Sequence, residues 1–132
     1  MKRLPEWEIK LAEFLKENRE RDFEWGKWDC CIFANACLKV ISGKNVIPKT
    51  LKWKDEKTAY KAIKDYGGTL DQALEKAALA AGMIPVEPQY VTTGDLVVVS
   101  ANDATLVIPR SRVEEVKRII EFLEKSKNKK LL

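Results

Sequence analysis

Asp22-Phe-Glu-Trp-Gly-Lys-Trp-Asp-Cys-Cys-Ile-Phe-Ala-Asn-Ala-Cys-Leu38 is the stretch on which the reading of the fold turns. Trp25-Gly26 predicts a turn, and Asp29 has the short acceptor side chain that caps a helix, which puts Cys30 on the first helical turn. From Cys30 to Ile41 only Asn35 and Lys39 interrupt the apolar run. A helix that is apolar nearly all round belongs in the middle of a domain. Ser42-Gly43 ends it, with Gly43 suited to the left-handed position after the last turn.

A cysteine at the mouth of such a helix has two readings. Unpaired N–H groups and the helix dipole favour an anion there, so the thiol of Cys30 is drawn toward a nucleophilic thiolate. The alternative treats Cys30, Cys31 and Cys37 as small core hydrophobes, a common use of free cysteine.

The residues also carry a resemblance. Phe23-x-Trp25-Gly26-x-x-Asp29-Cys30-x-x-Phe33 is similar to the cysteine motif of a small family encoded in bacteriophage and prophage tail modules, a divergent branch of the NlpC-type, papain-like cysteine peptidases and amidases. The likeness extends upstream to Leu4-Pro5-x-Trp7-Glu8, Leu11 and Phe14-Leu15. Downstream it takes in Ser42-Gly43 and Gly94-Asp95-Leu96-Val97-Val98-Val99, which resembles the Gly-Asp strand of that superfamily. It implies an α+β, papain-like fold with Cys30 as nucleophile. It also implies a histidine base at the start of the next strand, where this chain has Asp103-Ala104-Thr105-Leu106.

The chain contains no histidine anywhere. Imidazole is the one side chain that ordinarily titrates near neutrality. Asp103, and Asp29 beside the thiol, are the substitutes at hand, but a carboxylate must be raised far above about 3.9 to serve as base at neutral pH. General-base assistance is worth roughly 10²–10⁴-fold, so an unassisted thiol is a poor hydrolase.

Length and composition bound the rest. The 132 residues suffice for one domain spanning the whole chain, with a single core. An apolar fraction of 45% beside 33% charged residues is ordinary for a globular protein. The sequence has no apolar run of membrane-spanning length. Its polar start does not resemble a signal peptide. Three cysteines, two of them adjacent, do not make a disulfide framework, so host cytoplasm is the expected compartment. The phage resemblance adds possible residence in a virion.

The net charge of +4 is unevenly spread, with eight lysines between Lys39 and Lys64 against Asp55 and Glu56. A second basic run, Lys125-Ser-Lys-Asn-Lys-Lys130, closes the chain. Scattered lysines are ordinarily a solvated face, so nucleic acid is not the expected partner. Arginine, the better reader of bases, is missing from the middle of the chain.

Along the chain, Trp7, Leu11, Phe14 and Leu15 recur at helical spacing, which predicts a helix from Pro5 to about Arg19. Past the cysteine helix, Pro48 discourages regular structure and Trp53 reads as an anchor. Asp55 is placed to cap a helix over 56–66, stopped by Gly67-Gly68. Thr69-x-x-Gln72 is a capping-box pattern opening a helix from Leu70 to Ala81. Pro85 and Pro88 make 83–93 an extended connector. Leu96–Ser100 and Thr105–Ile108 read as a hairpin late in the chain. Ser111-x-x-Glu114 opens a last helix, with Val113, Val116, Ile120 and Leu123 as its stripe, and 126–132 are expected to fray. The class is therefore α+β: helix-rich, with a small antiparallel sheet packed on the cysteine helix.

Few other chemistries fit. A zinc site wants four Cys/His ligands, and no phosphate-binding glycine loop is present, so neither metal nor cofactor is expected. Trp25, Gly26 and Trp28 could line a groove beside Cys30, although core packing is the commoner use of large aromatics. The leading expectation is a phage tail-module protein with a papain-like fold that lacks the full hydrolytic apparatus and works through protein contacts. An active thiol hydrolase using Cys30 is the first alternative. A small basic nucleic-acid or regulatory binder is the second. The oligomeric state is left open.

Overall fold

The computed structural model describes residues 1–101 and 104–109. The apolar face of α1 (Trp7–Glu17) meets that of α2 (Cys30–Ser42). Trp7 and Leu11 are buried with Cys37 and Ile41, and Phe14, Leu15, Phe33 and Val40 pack round them. Each such side chain removed from water stabilises the fold by about 1.5–3 kcal/mol. The first helix starts two residues later than its periodicity suggests. The Leu4 N–H donates to the carbonyl of Ile41 at 2.8 Å, which holds the incoming chain across the end of α2. Glu6 then turns through φ 57° into α1.

The cysteine helix forms as its capping residues dictate. Asp29 is extended at the N-cap and its Oδ1 accepts the Ile32 N–H, while Gly43 takes a left-handed conformation at the other end. Asn35 looks in sequence like a break in the apolar run. Its Oδ1 accepts the N–H groups of Val46 and Ile47 at 2.7 and 3.0 Å, and its Nδ2 donates to Asn45. It thus ties the loop after α2 to the helix. Asn35→Ala is expected to cost about 2–3 kcal/mol in urea unfolding, because two amides lose their acceptor. Asn35→Asp keeps that acceptor and should cost less.

α3 (Glu56–Tyr66) and α4 (Leu70–Ala80) pack as a helical pair. Asp55 Oδ1 accepts the Thr58 N–H at 2.8 Å, and Thr58 Oγ1 accepts the Asp55 N–H at 3.2 Å. At α4 the Gln72 side chain accepts the Thr69 N–H, while the Thr69 hydroxyl donates to Asp71. Ala59, Ala73, Leu74 and Ala77 are buried. Between α4 and the strands the connector makes one 3₁₀ turn, Pro88–Tyr90.

β1 (Leu96–Ala101) and β2 (Ala104–Pro109) pair antiparallel, in a register running from Leu96 opposite Pro109 to Ala101 opposite Ala104. The hairpin lies where it was expected, since β2 contacts α2, and Leu96 and Val98 pack against Ala34 and Leu74. Asp95 fixes its entry: Oδ1 accepts Arg3 at 2.7 Å and Oδ2 accepts the Thr92 N–H at 2.8 Å. The architecture is helix-rich, with the cysteine helix between α1 and the hairpin. Asp103, the expected helix after Ser111 and the expected frayed tail lie outside the described residues. Among the described residues no helix is long and apolar enough to cross a membrane.

Candidate functional site

The turn ahead of α2 closes on itself. Glu24 N–H donates to the Trp28 carbonyl at 3.0 Å, and Trp28 N–H returns the bond at 2.7 Å. Gly26 occupies its tip with φ +71°. There the backbone lies so close to Trp53 that a Cβ on Gly26 would stand 1.9 Å from the Trp53 carbonyl oxygen.

Asp29 is the hub of this arrangement and is only 3% exposed. Its Oδ2 accepts the Gly26 N–H at 2.8 Å and the Trp53 indole N–H at 2.6 Å. With Oδ1 on the Ile32 N–H at 3.0 Å, one carboxylate joins the turn, the helix and the loop before α3. Charge-assisted bonds of this kind are about twice as strong as neutral ones.

Cys30 follows, half-buried on the first turn of α2. Its thiol is lowered to about 7, chiefly by its interaction with the adjacent Cys31 thiol, aided by backbone N–H groups at the helix start. Burial and the Asp29 charge oppose the shift without overcoming it. The Cys31 thiol is pushed up by its interaction with Cys30 and by burial. Cys31 lines a small apolar cavity of about 40 Å³ with Ile47, Pro48, Leu51 and Trp53 among its walls. Cys37 packs in the core beside Trp7 and Leu11, and burial raises it to about 11. Cys37 is therefore a small core hydrophobe, whereas the Cys30 thiol is shifted in the direction a nucleophile needs.

The two tryptophans of the motif are engaged with other side chains. Trp28 packs on Phe14 and Phe33 at centroid distances of 6.1 and 5.7 Å, under the Arg21 guanidinium at 3.9 Å. Trp25 sets its ring edge-on to the exposed Phe23 at 5.0 Å. A groove of about 330 Å³ opens elsewhere, between α4, the connector and β1, lined by Leu74, Leu79, Ile84, Val86, Leu96 and Val98 among others. Asp103, the remaining candidate, lies outside the described residues. Among the described residues no cluster of three or more His, Cys, Asp or Glu could hold a metal ion.

Residues 2–114 match the model of the family described as Domain of unknown function (DUF6950). The chain belongs to this family. No curated protein and no solved structure matches it. The DUF6950 match takes in all four helices, both strands and the Gly26–Asp29–Cys30 turn, so the thiol and its supports are part of the family domain. Two residues important to this DUF6950 site were not candidates from sequence. Trp53 supplies the indole that reaches Asp29 from 24 positions away. Cys31 is the neighbour that chiefly draws the Cys30 thiol down. The adjacency of Cys30 and Cys31 was the available signal for the second; Trp53 reads in sequence as an anchor, but nothing local ties it to Asp29.

Proposed function

We propose that this protein is a tail-module protein of phage or prophage origin, with a papain-like domain that works by contact with another tail protein and does not turn over substrate. The observation that carries the reading is that, among the described residues, Asp29 is the one carboxylate acting on Cys30. The chain has no histidine, and the carboxylate acting on the thiol, Asp29, already spends both oxygens on Gly26, Ile32 and Trp53. The Trp-Gly-x-x-Asp-Cys motif supports the papain-like kinship, as does a hairpin packed against the cysteine helix in the expected chain order. Host cytoplasm followed by incorporation into the virion is the matching location. The expected result is co-purification with a tail protein when the module is expressed together, undiminished by Cys30→Ser. A partnerless protein under those conditions overturns it.

The second reading, a thiol hydrolase acting on peptidoglycan peptides or a tail precursor, is favoured by the lowered Cys30 thiol. The lowered Cys30 thiol holds far more thiolate at neutral pH than Cys37, which burial raises to about 11. Iodoacetamide at pH 7 should therefore alkylate Cys30 at least tenfold faster than Cys31 or Cys37, with a rate that rises through pH 7 and levels off by pH 8–9, read by peptide mass spectrometry. Equal, slow labelling of all three removes the hydrolase reading. Peptide release from peptidoglycan that vanishes in Cys30→Ser would establish it over the first.

A further inference from the structure

The lysine-rich middle of the chain is more ordered than its sequence suggests. All eight lysines from Lys39 to Lys64 are exposed. Among the described residues, Lys61 is the one of them in an ion pair, with Asp65. Among the described residues Asp55 forms no ion pair with its lysine neighbours, its carboxylate being bound to Thr58 at the head of α3. Lys54 and Lys57 lie near enough to help hold it below the usual carboxylate range.

Helical periodicity then sorts α3 into two faces. Ala59, Ala62, Ile63 and Tyr66 turn inward, buried or half-buried. At about 100° per residue the opposite face carries Lys57, Tyr60, Lys61 and Lys64 along about 10 Å of helix. Tyr60 stands among these charges with 63% of its surface in water. Lys54 lies just ahead of the helix, near enough to act on Asp55. A scatter of lysines in sequence thus becomes a basic ridge with an aromatic ring at its centre.

We propose that this outer face of α3 binds single-stranded nucleic acid, with Lys54, Lys57, Lys61 and Lys64 against backbone phosphates and a base stacked on Tyr60. Point-charge ammonium groups beside an exposed aromatic are the combination that tracks a single strand without reading its sequence. No arginine occurs between Arg21 and Arg110 to give bidentate recognition of base edges or carboxylates. Lysine point charges hold a phosphate backbone without reading base edges, and the exposed Tyr60 ring among them favours nucleic acid over a protein surface or a polyanion without bases. This binding is separate from Cys30 and independent of the contact reading.

The test uses the full chain and a fluorescein-labelled oligothymidine, followed by anisotropy at low salt and then rising salt. Binding is expected, with no preference between oligothymidine and a mixed-sequence strand. Its affinity should fall about 50-fold between 50 and 200 mM salt if four phosphates are neutralised. Tyr60→Ala should weaken it about tenfold, and Tyr60→Phe should keep it, because the ring does the stacking. The triple variant Lys57→Gln, Lys61→Gln, Lys64→Gln should abolish it with an unchanged circular dichroism spectrum and melting midpoint. No binding at low salt overturns the proposal. So does binding that ignores Tyr60→Ala and is matched by heparin, which would mark a general polyanion surface.

Discussion

Gly26→Ala is expected to destabilise the fold by about 3–4 kcal/mol. Two costs combine. The left-handed φ of +71° costs a non-glycine residue about 1 kcal/mol by itself. The larger cost is steric: the added carbon would sit 1.9 Å from the Trp53 carbonyl oxygen and 2.9 Å from its carbon. Backbone on both sides cannot yield as a flexible side chain would, so the turn and the Trp53 segment must part. Parting them removes the indole from Asp29 and opens the small cavity lined by Cys31 and Trp53. A melting point lowered by about 10 °C or more is the expected readout. Gly43→Ala is the control. Its φ is +74°, but the nearest atom to an added Cβ is Leu4 Cδ1 at 3.5 Å, so only the conformational cost of about 1 kcal/mol applies. Equal losses at the two positions would mean that the approach to Trp53 does not constrain the turn.

Local signals in the sequence were enough to place the elements. The cysteine helix starts and stops where Asp29 and Gly43 say it should, and the Thr69 start and the late β-branched runs lie within a residue of their expected bounds. Each of these is decided by neighbours a few positions away. The exceptions are contacts made across the chain. α1 begins at Trp7 because Leu4 is tied to Ile41, a bond that no local pattern announces. Asn35 reads as a defect in an apolar helix until the loop at Val46 and Ile47 folds back onto it. The site divides in the same way. Cys30 and its cap were legible because a helix start has a short signature. The role of Trp53, and the commitment of Trp28 to Phe14, Phe33 and Arg21, depend on how segments meet in space.

That division matters most at Asp29, where one residue is open to two functional descriptions. As a cap and cross-link it holds three N–H groups, from Gly26, Ile32 and Trp53, in a site that is almost fully buried. Asp29→Ala strands all three and is expected to cost about 3–5 kcal/mol in urea unfolding. Asp29→Asn can keep its oxygen on Gly26 and the indole, which turns a donor toward the Ile32 N–H alone, and should cost about 1–2 kcal/mol. The Asn variant also separates structure from catalysis at Cys30. The Asp29 charge raises the Cys30 thiol, against the pull of Cys31 and the backbone N–H groups. Removing that charge should therefore lower the thiol further and speed its alkylation at pH 6, because more of it is thiolate. If Asp29 were instead the group that takes the Cys30 proton, the same change would slow the reaction at every pH below the thiol's own titration. Faster alkylation in Asp29→Asn, alongside the stability loss, assigns the carboxylate to the scaffold; slower alkylation restores it as a base and with it the hydrolase reading.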